Sequence, residues 1–261
     1  MKRGLRLLLA LALGGLGSIG ASFAADAPAA SGAKSEARRL NVESKPWTGD
    51  FDGMLQRRVI RVAVPYSRTL YFNDKGRERG VAADHVRDFE RYLNAKYAKQ
   101  LGKRPLTIYI VPTTRDELLS DVSGGLADIA AGNLTVTPER EKIVDFFAPA
   151  DQKPVSEVVV TSAKAPPLTQ AEDLSGRTVH VRKTSSYYAS LLALNERLKA
   201  AGKPPAQLVI VPDALEDEDL MEMVNAGVIG AIVVDDWKAL AWAAVLPNLR
   251  VDQGAVLRSG G

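Results

Sequence analysis

Short β-branched runs alternate along this chain with stretches whose apolar residues recur every three to four positions. That alternation constrains the fold more than any other feature. In a first block, Val59 to Val64 reads as a buried strand ended by Pro65, followed by a turn-rich loop at Asn73-Asp74-Lys75-Gly76. Val86, Phe89, Tyr92, Leu93 and Tyr97 mark an amphipathic helix over 82–100, which Gly102 and Pro105 stop. Leu106 to Val111 is a second strand. Thr114-Arg-Asp-Glu117 is a capping box opening a short helix that Gly124-Gly125 closes, and Ala127 to Ala131 is a short third strand. Phe146 to Val160 reads as extended crossover chain. In a second block, strands over 178–181, 208–211, 229–234 and 249–251 alternate with helices over 186–200, 215–226 and 236–245. Strand–helix alternation predicts parallel sheets covered on both faces. Two such blocks, 57–147 and 163–247, predict an α/β protein of two lobes joined by extended crossovers, with a ligand cleft between them.

The N-terminus reads as an address. Lys2, Arg3 and Arg6 precede the unbroken apolar run Leu7 to Leu13, and small residues follow at Ala21, Ser22, Ala24 and Ala25. This is the secretory signal pattern over 1–24, with cleavage expected after Ala24 and export to a periplasm; an uncleaved anchor is the alternative. The apolar stretch is shorter than the ~20 residues a spanning helix needs, and no later stretch reaches that length. Residues 25–46 lack large apolar side chains and read as a flexible linker, with order beginning near Trp47 or Phe51. Lys2, Arg3 and Arg6 also account for the formal charge of +3: without these three of the 34 basic residues, 31 face 31 acidic ones. A neutral body gives no electrostatic case for nucleic acid. The absence of Cys excludes disulfides, thiolate metal sites and a Cys nucleophile, and two His exclude a three-His metal site. No Walker loop, dinucleotide fingerprint or nucleophile elbow is present, so neither cofactor nor metal is expected.

Four pieces can carry chemistry. In Asn133-Leu-Thr-Val-Thr-Pro-Glu-Arg140, Thr137 can cap a helix with Pro138 as its first residue. Arg140 would then lie in the first turn, beside free N–H groups, as a carboxylate site or as a surface Arg on a capped helix. Lys183-Thr-Ser-Ser186, between a strand and a helix, can hold an anion or simply cap. In Val233-Val-Asp-Asp236, at a strand's carboxyl end, Asp235 can pair with an ammonium while Asp236 caps the next helix, or both can cap. Tyr66, Tyr71 and Phe72 can stack on a ligand or pack in the core. The four consecutive acids Glu216 to Asp219 read as a helix's first turn, favoured by its dipole, with a metal site as the weaker alternative. A cation with hydroxyls in one block and a carboxylate with hydroxyls in the other suit a zwitterion.

The stretches from Asp128 through the Thr-Pro-Glu-Arg140 run to Asp145-Phe-Phe147, together with Val233-Val-Asp-Asp236, resemble the family 3 solute-binding proteins, the amino-acid receptors of ABC importers. The resemblance spans about 57–256. It implies a type II periplasmic binding protein-like fold, with Arg140 on the ligand's α-carboxylate and Thr135, Ser185 and Ser186 around it; Asn133, which opens the same run, is a further expected ligand-binding residue. It also implies Asp235 on the α-ammonium and an aromatic near Tyr66 or Phe72 against the side chain. Three positions depart from that family's pattern: Thr184 stands in place of the Gly before the hydroxyl pair, Ala82 in place of an acid, and Gly230 in place of Asp.

Lys45-Pro-Trp-Thr-Gly-Asp-Phe-Asp-Gly-Met54 and Val181-Arg-Lys-Thr-Ser-Ser-Tyr-Tyr188 further resemble the receptor half of the membrane-bound lytic transglycosylase F-like proteins, whose catalytic domain uses a Glu followed by Ser. The only such pair here is Glu43-Ser44, in the linker, where nothing can raise a catalytic acid's pKa. The expectation is therefore a non-enzymatic binding protein with lobe 1 over 47–150 and lobe 2 over 151–250. Residues 251–261 would be the start of a truncated return to lobe 1, leaving the last part of that lobe missing and an apolar face uncovered. Its ligand would be an amino acid or a peptidoglycan-derived peptide, and its partner an ABC importer permease or a cell-wall lyase domain. An enzyme on the same fold, such as a dehydratase, would need a cleft-facing acid or base with a shifted pKa.

Overall fold

The computed structural model describes residues 45–147 and 153–260; the expected signal peptide and nearly all of the expected linker lie outside them. The chain opens with α1 (Phe51–Arg57), capped by the Asp50 carboxylate on the Gly53 N–H at 2.9 Å. Strand β1 (Val59–Pro65) follows, then the hairpin β2 (Phe72–Asp74) and β3 (Arg77–Arg79), whose tip is the expected Asn73–Gly76 turn. Helix α2 (Val81–Lys96) and the single turn α3 (Ala98–Leu101) replace the one long helix expected, because the chain breaks at Tyr97. Gly80 opens α2 at φ 105°, where a Cβ would lie 2.4 Å from the Leu70 carbonyl oxygen, so only glycine fits. Strand β4 (Thr107–Thr113), helix α4 (Leu118–Ser123) and strand β5 (Ile129–Ala130) complete the first lobe. The sheet order β4-β1-β5 is parallel throughout. The capping box predicted at Thr114–Glu117 does not form. Those residues make a turn in which the Thr113 hydroxyl donates to Glu117, and the helix begins at Leu118.

The second lobe holds β6 (Ser156–Ser162), a 3₁₀ turn at Ala171–Leu174, β7 (Thr178–Arg182) and α5 (Ser186–Ala200). Then come β8 (Gln207–Val211), α6 (Asp217–Asn225), β9 (Ala231–Asp235), α7 (Asp236–Ala243) and β10 (Leu249–Ser259). The sheet order is β10-β6-β9-β7-β8. Strands β7, β8 and β9 run parallel, but β6 is antiparallel to both β9 and β10, so this sheet is mixed rather than parallel. The last five residues of the segment read as a crossover, Ser156 to Val160, are thus interior sheet strand. The lobe boundary expected at 250/251 falls inside β10, and residues 251–259 stay paired to β6. Alternation sorts the core onto two faces. Val159, Ala231 and Val233 pack with Leu191, Leu194 and Leu198 of α5, while Val158, Val160, Ile232 and Val234 pack with Leu220, Met221 and Val224 of α6.

Candidate functional site

Helix α5 begins where it must for a site at its N-terminus. Ser185 caps it, its hydroxyl oxygen accepting the Tyr188 N–H at 3.3 Å, and β7 delivers the chain to that point. Strand β9 ends at Asp235 directly alongside. From the first lobe, the loop after β5 brings Asn133, Thr135 and Arg140 to the same place, and a small, partly open cavity lies between the lobes. Six of the eight expected site residues line it: Asn133, Thr135, Arg140, Ser185, Ser186 and Asp235. Tyr66 and Phe72 do not. The Ser67–Tyr71 bridge tightens the backbone there, Tyr71 is taken into the core, Tyr66 is 62% exposed and Phe72 sits on the β2 hairpin. Tyr187 is the aromatic side chain on the cavity wall.

Arg140 does not start a helix. Thr137 accepts the Arg140 N–H on its hydroxyl at 3.3 Å and the Glu141 N–H on its carbonyl at 3.0 Å, and the chain makes turns only. The guanidinium donates from Nη1 to the Thr135 carbonyl at 2.9 Å and from Nη2 to the Thr184 carbonyl of the other lobe at 3.3 Å. Burial lowers its pKa, repulsion from Arg115 and Arg258 adds to that, and the charge of Glu157 opposes it; among the described residues no carboxylate takes its hydrogen-bonding groups. The Thr135 and Ser186 hydroxyls meet at 3.3 Å across the lobes. Thr184, where the resemblance implies Gly, turns its hydroxyl away to Asp213 at 2.5 Å and leaves its carbonyl to Arg140.

Asp235 is buried, and its Oδ1 has no hydrogen-bond partner. Its pKa is pushed up to about 6, first by burial and then by the nearby charge of Asp217. Asp236 does not cap α7 as expected: it is the helix's first residue, its Oδ1 accepting the Trp237 N–H at 2.7 Å, while Asp235 holds the cap position without a side-chain cap bond. Sequence reasoning missed the charged floor beneath. Asp217 lies between Arg182 and Lys238, the latter at 2.6 Å, and all three are buried. Burial alone would raise the Asp217 pKa, but the two cations override it and hold the carboxyl far below the usual range. The signal available was Lys238, a lone cation in the apolar Trp237–Trp242 run.

Among the described residues no group of three or more His, Asp or Glu is arranged to hold a metal ion. The four acids open α6 as read, and three of them also bridge the lobes. Glu216 takes Arg115 on both oxygens, the closest contact 2.8 Å. Glu218 accepts the Ser67 hydroxyl at 2.5 Å and the Thr69 N–H at 3.0 Å. Asp219, with Glu222, takes Arg68. The Trp242 indole N–H donates to the Thr69 hydroxyl at 2.9 Å. Burial sorts these contacts energetically. Arg68 is 43% exposed, so Arg68→Ala is expected to cost less than about 1 kcal/mol in urea unfolding. A larger loss would place it among the buried bridges.

The family of bacterial extracellular solute-binding proteins, family 3, matches residues 60–250. The chain belongs to this family. Among curated proteins it is 29% identical over 198 residues to "Membrane-bound lytic murein transglycosylase F" of Ectopseudomonas mendocina, covering 74% of this chain and 36% of that protein. It is 25% identical over 209 residues to the protein of that name in Methylobacillus flagellatus, covering 80% and 40%. The chain therefore spans little more than a third of the length of these relatives. Among solved structures, the arginine-binding protein ArgBP of T. maritima in its holo form superposes with TM-score 0.60 at 22% identity, covering 81% of this chain and 83% of that one. A binding component of an ABC transporter from Wolinella succinogenes, complexed with lysine, gives 0.60 at 19%, covering 78% and 80%. The fold is that of the type II periplasmic binding proteins. Proteins of this family are extracellular or periplasmic, and among the described residues no helix is long and apolar enough to cross a membrane.

Proposed function

We propose that this chain is an exported receptor that clamps a small zwitterionic ligand between its lobes, for uptake through an ABC importer or for sensing. In this reading the Arg140 guanidinium holds the ligand carboxylate, Thr135, Ser185 and Ser186 bond around it, and Asp235 holds the ammonium. The observation that carries it is the placement of Arg140 from one lobe and Asp235 from the other on a single cavity, each lacking a partner of opposite charge on its free hydrogen-bonding groups. A half-buried cation and a buried acid with spare capacity describe a zwitterion in negative, and amino acids are what superposed structures hold. The signal peptide at 1–24 supplies the export.

A thermal-shift screen of free amino acids and peptidoglycan-derived peptides on the purified chain tests the reading, because a ligand that binds only the folded state raises the melting temperature. No shift from any of them refutes it. The relatives named for a murein transglycosylase favour one second reading, a ligand-binding module regulating a cell-wall lyase. Under it the peptidoglycan peptides, and not free amino acids, produce the shift. The raised pKa of Asp235 meets the requirement set for an enzyme, but its cause is a carboxylate buried without a donor, and an ammonium relieves that directly. An ammonium needs the ionised carboxylate, so affinity is expected to rise with pH through about 6, becoming roughly tenfold weaker at pH 5 than at pH 7. Titration calorimetry at the two pH values reads this directly; equal affinities would remove Asp235 from the ammonium.

A further inference from the structure

Glu157 is a buried acid beside the site to which neither the family resemblance nor the proposed clamp gives a role. It is 3% exposed, and both of its carboxylate oxygens lack a hydrogen-bond partner. It is the register partner of Asp235 in the antiparallel β6–β9 pair. Alternation fixes where both side chains go. Glu157 shares its face with Val159, and Asp235 shares its face with Ala231 and Val233; those three residues pack under α5, at whose N-terminus the cavity lies. Asp235 lines that cavity, and Glu157 stands one strand behind it, outside the lining. Directly opposed side chains on a pair of strands have Cβ atoms about 5 Å apart, and like charges so placed are destabilising unless something stands between them. Arg258 is the register partner on the other side, in β10, but its Nη2 donates to the Val136 carbonyl of the first lobe at 3.0 Å, and no ion pair to Glu157 forms. Tyr187 does not fill the gap either: its hydroxyl accepts the Asp235 N–H and reaches toward Asp217.

On this pair of strands three buried carboxylate oxygens are thus without donors: Oδ1 of Asp235 and both oxygens of Glu157. The charges of Arg140 and Glu157 attract through space, but the guanidinium makes no hydrogen bond to these oxygens. Buried oxygens without donors are expensive, so the arrangement suits a group with several donors and a positive charge. A primary ammonium carries three N–H donors and no acceptor. We propose that Glu157 is the second carboxylate of the ammonium site, so that the pocket grips a primary ammonium between Glu157 and Asp235 and rejects ligands in which that nitrogen is acylated. This rests on the clamp reading above and extends it to a specificity-determining residue on β6.

The test titrates the whole chain with L-arginine, L-lysine and L-glutamine and with their α-N-acetyl forms by calorimetry, and melts the ligand-free protein. The expected result is that at least one free amino acid binds while its acetyl form does not. Glu157→Gln should weaken that binding about 10- to 100-fold, Glu157→Asp should weaken it less, and Glu157→Gln should melt higher than the wild type without ligand, since a buried unpartnered charge has gone. A merely structural carboxylate would give the opposite shift in melting, and that result overturns the proposal, as does equal weakening by Gln and Asp. Binding that Glu157→Gln leaves within twofold overturns the role of Glu157 and leaves the clamp standing. If the wild type binds none of the three, the clamp for free amino acids fails and the proposal with it.

Discussion

Arg140→Ala is expected to weaken ligand binding by roughly 2–5 kcal/mol, about 30- to 5,000-fold, while leaving the ligand-free fold intact. The guanidinium spends two donors on the backbone carbonyls of Thr135 and Thr184, one in each lobe, and has three left in a planar fork. Burial and two neighbouring guanidinium groups already work against its charge. In the ligand-free protein its removal relieves repulsion and costs two hydrogen bonds to carbonyls, so the unfolding midpoint should move little. In the complex its removal strands a ligand carboxylate in a buried pocket, and most of the loss comes from that orphaned anion. Arg140→Lys should recover only part of the affinity, since an ammonium cannot reach both carbonyls and the carboxylate with the same geometry. The measurement is calorimetric titration of the tightest ligand from the thermal-shift screen. Unchanged affinity in Arg140→Ala would take the carboxylate away from this residue.

What the sequence could reveal followed from how local each signal was. Helix α5 is legible to the residue, because Ser185 caps it and its apolar spacing runs without a break to Ala200. Helix α1 escaped notice: seven residues hold too few turns to show a period, although Asp50 is an ordinary cap. At Thr137-Pro-Glu-Arg140 the capping chemistry was read correctly and the cap bond forms, but a cap does not supply the packing that would extend one turn into a helix. Strand β6 reads as extended chain in the sequence, yet its direction and its interior place depend on register partners in β9 and β10 that lie 70 or more residues away, which no local pattern encodes. The same division applies to the site. Asn133, Thr135, Ser185, Ser186 and Asp235 lie at the ends of elements, where polar residues announce themselves. Arg182, Asp217 and Lys238 form one buried cluster from three separate elements and acquire meaning only once β7, α6 and α7 are packed together. Glu157 stood in what looked like connecting chain.

That buried cluster carries the largest expected loss of stability. Asp217→Asn keeps the shape of the side chain and removes its charge, leaving Arg182 and Lys238 side by side, both 2% exposed, with no carboxylate between them. Breaking a buried pair by removing one partner costs roughly 3–5 kcal/mol, on the order of 10 °C in melting temperature for a chain of this size. The pH dependence has a definite sign. Asp217 ionises far more readily in the folded protein than in the unfolded chain, so the stability it confers is complete above about pH 4, the unfolded value, and is lost as pH falls toward the folded one. Asp235 works the other way. Its folded value of about 6 lies above the unfolded one, so the ligand-free protein loses stability as pH rises from about 4 to 6. The two are coupled, since the charge of Asp217 is the second cause of the raised Asp235 value. Asp217→Asn therefore removes a repulsion and frees Lys238 toward Asp235, and both effects lower the Asp235 pKa. The variant should unfold at lower urea and also move the pH midpoint of ligand binding below 6. A variant that loses stability while that midpoint stays in place would show that the cluster supports the lobe without tuning the acid above it.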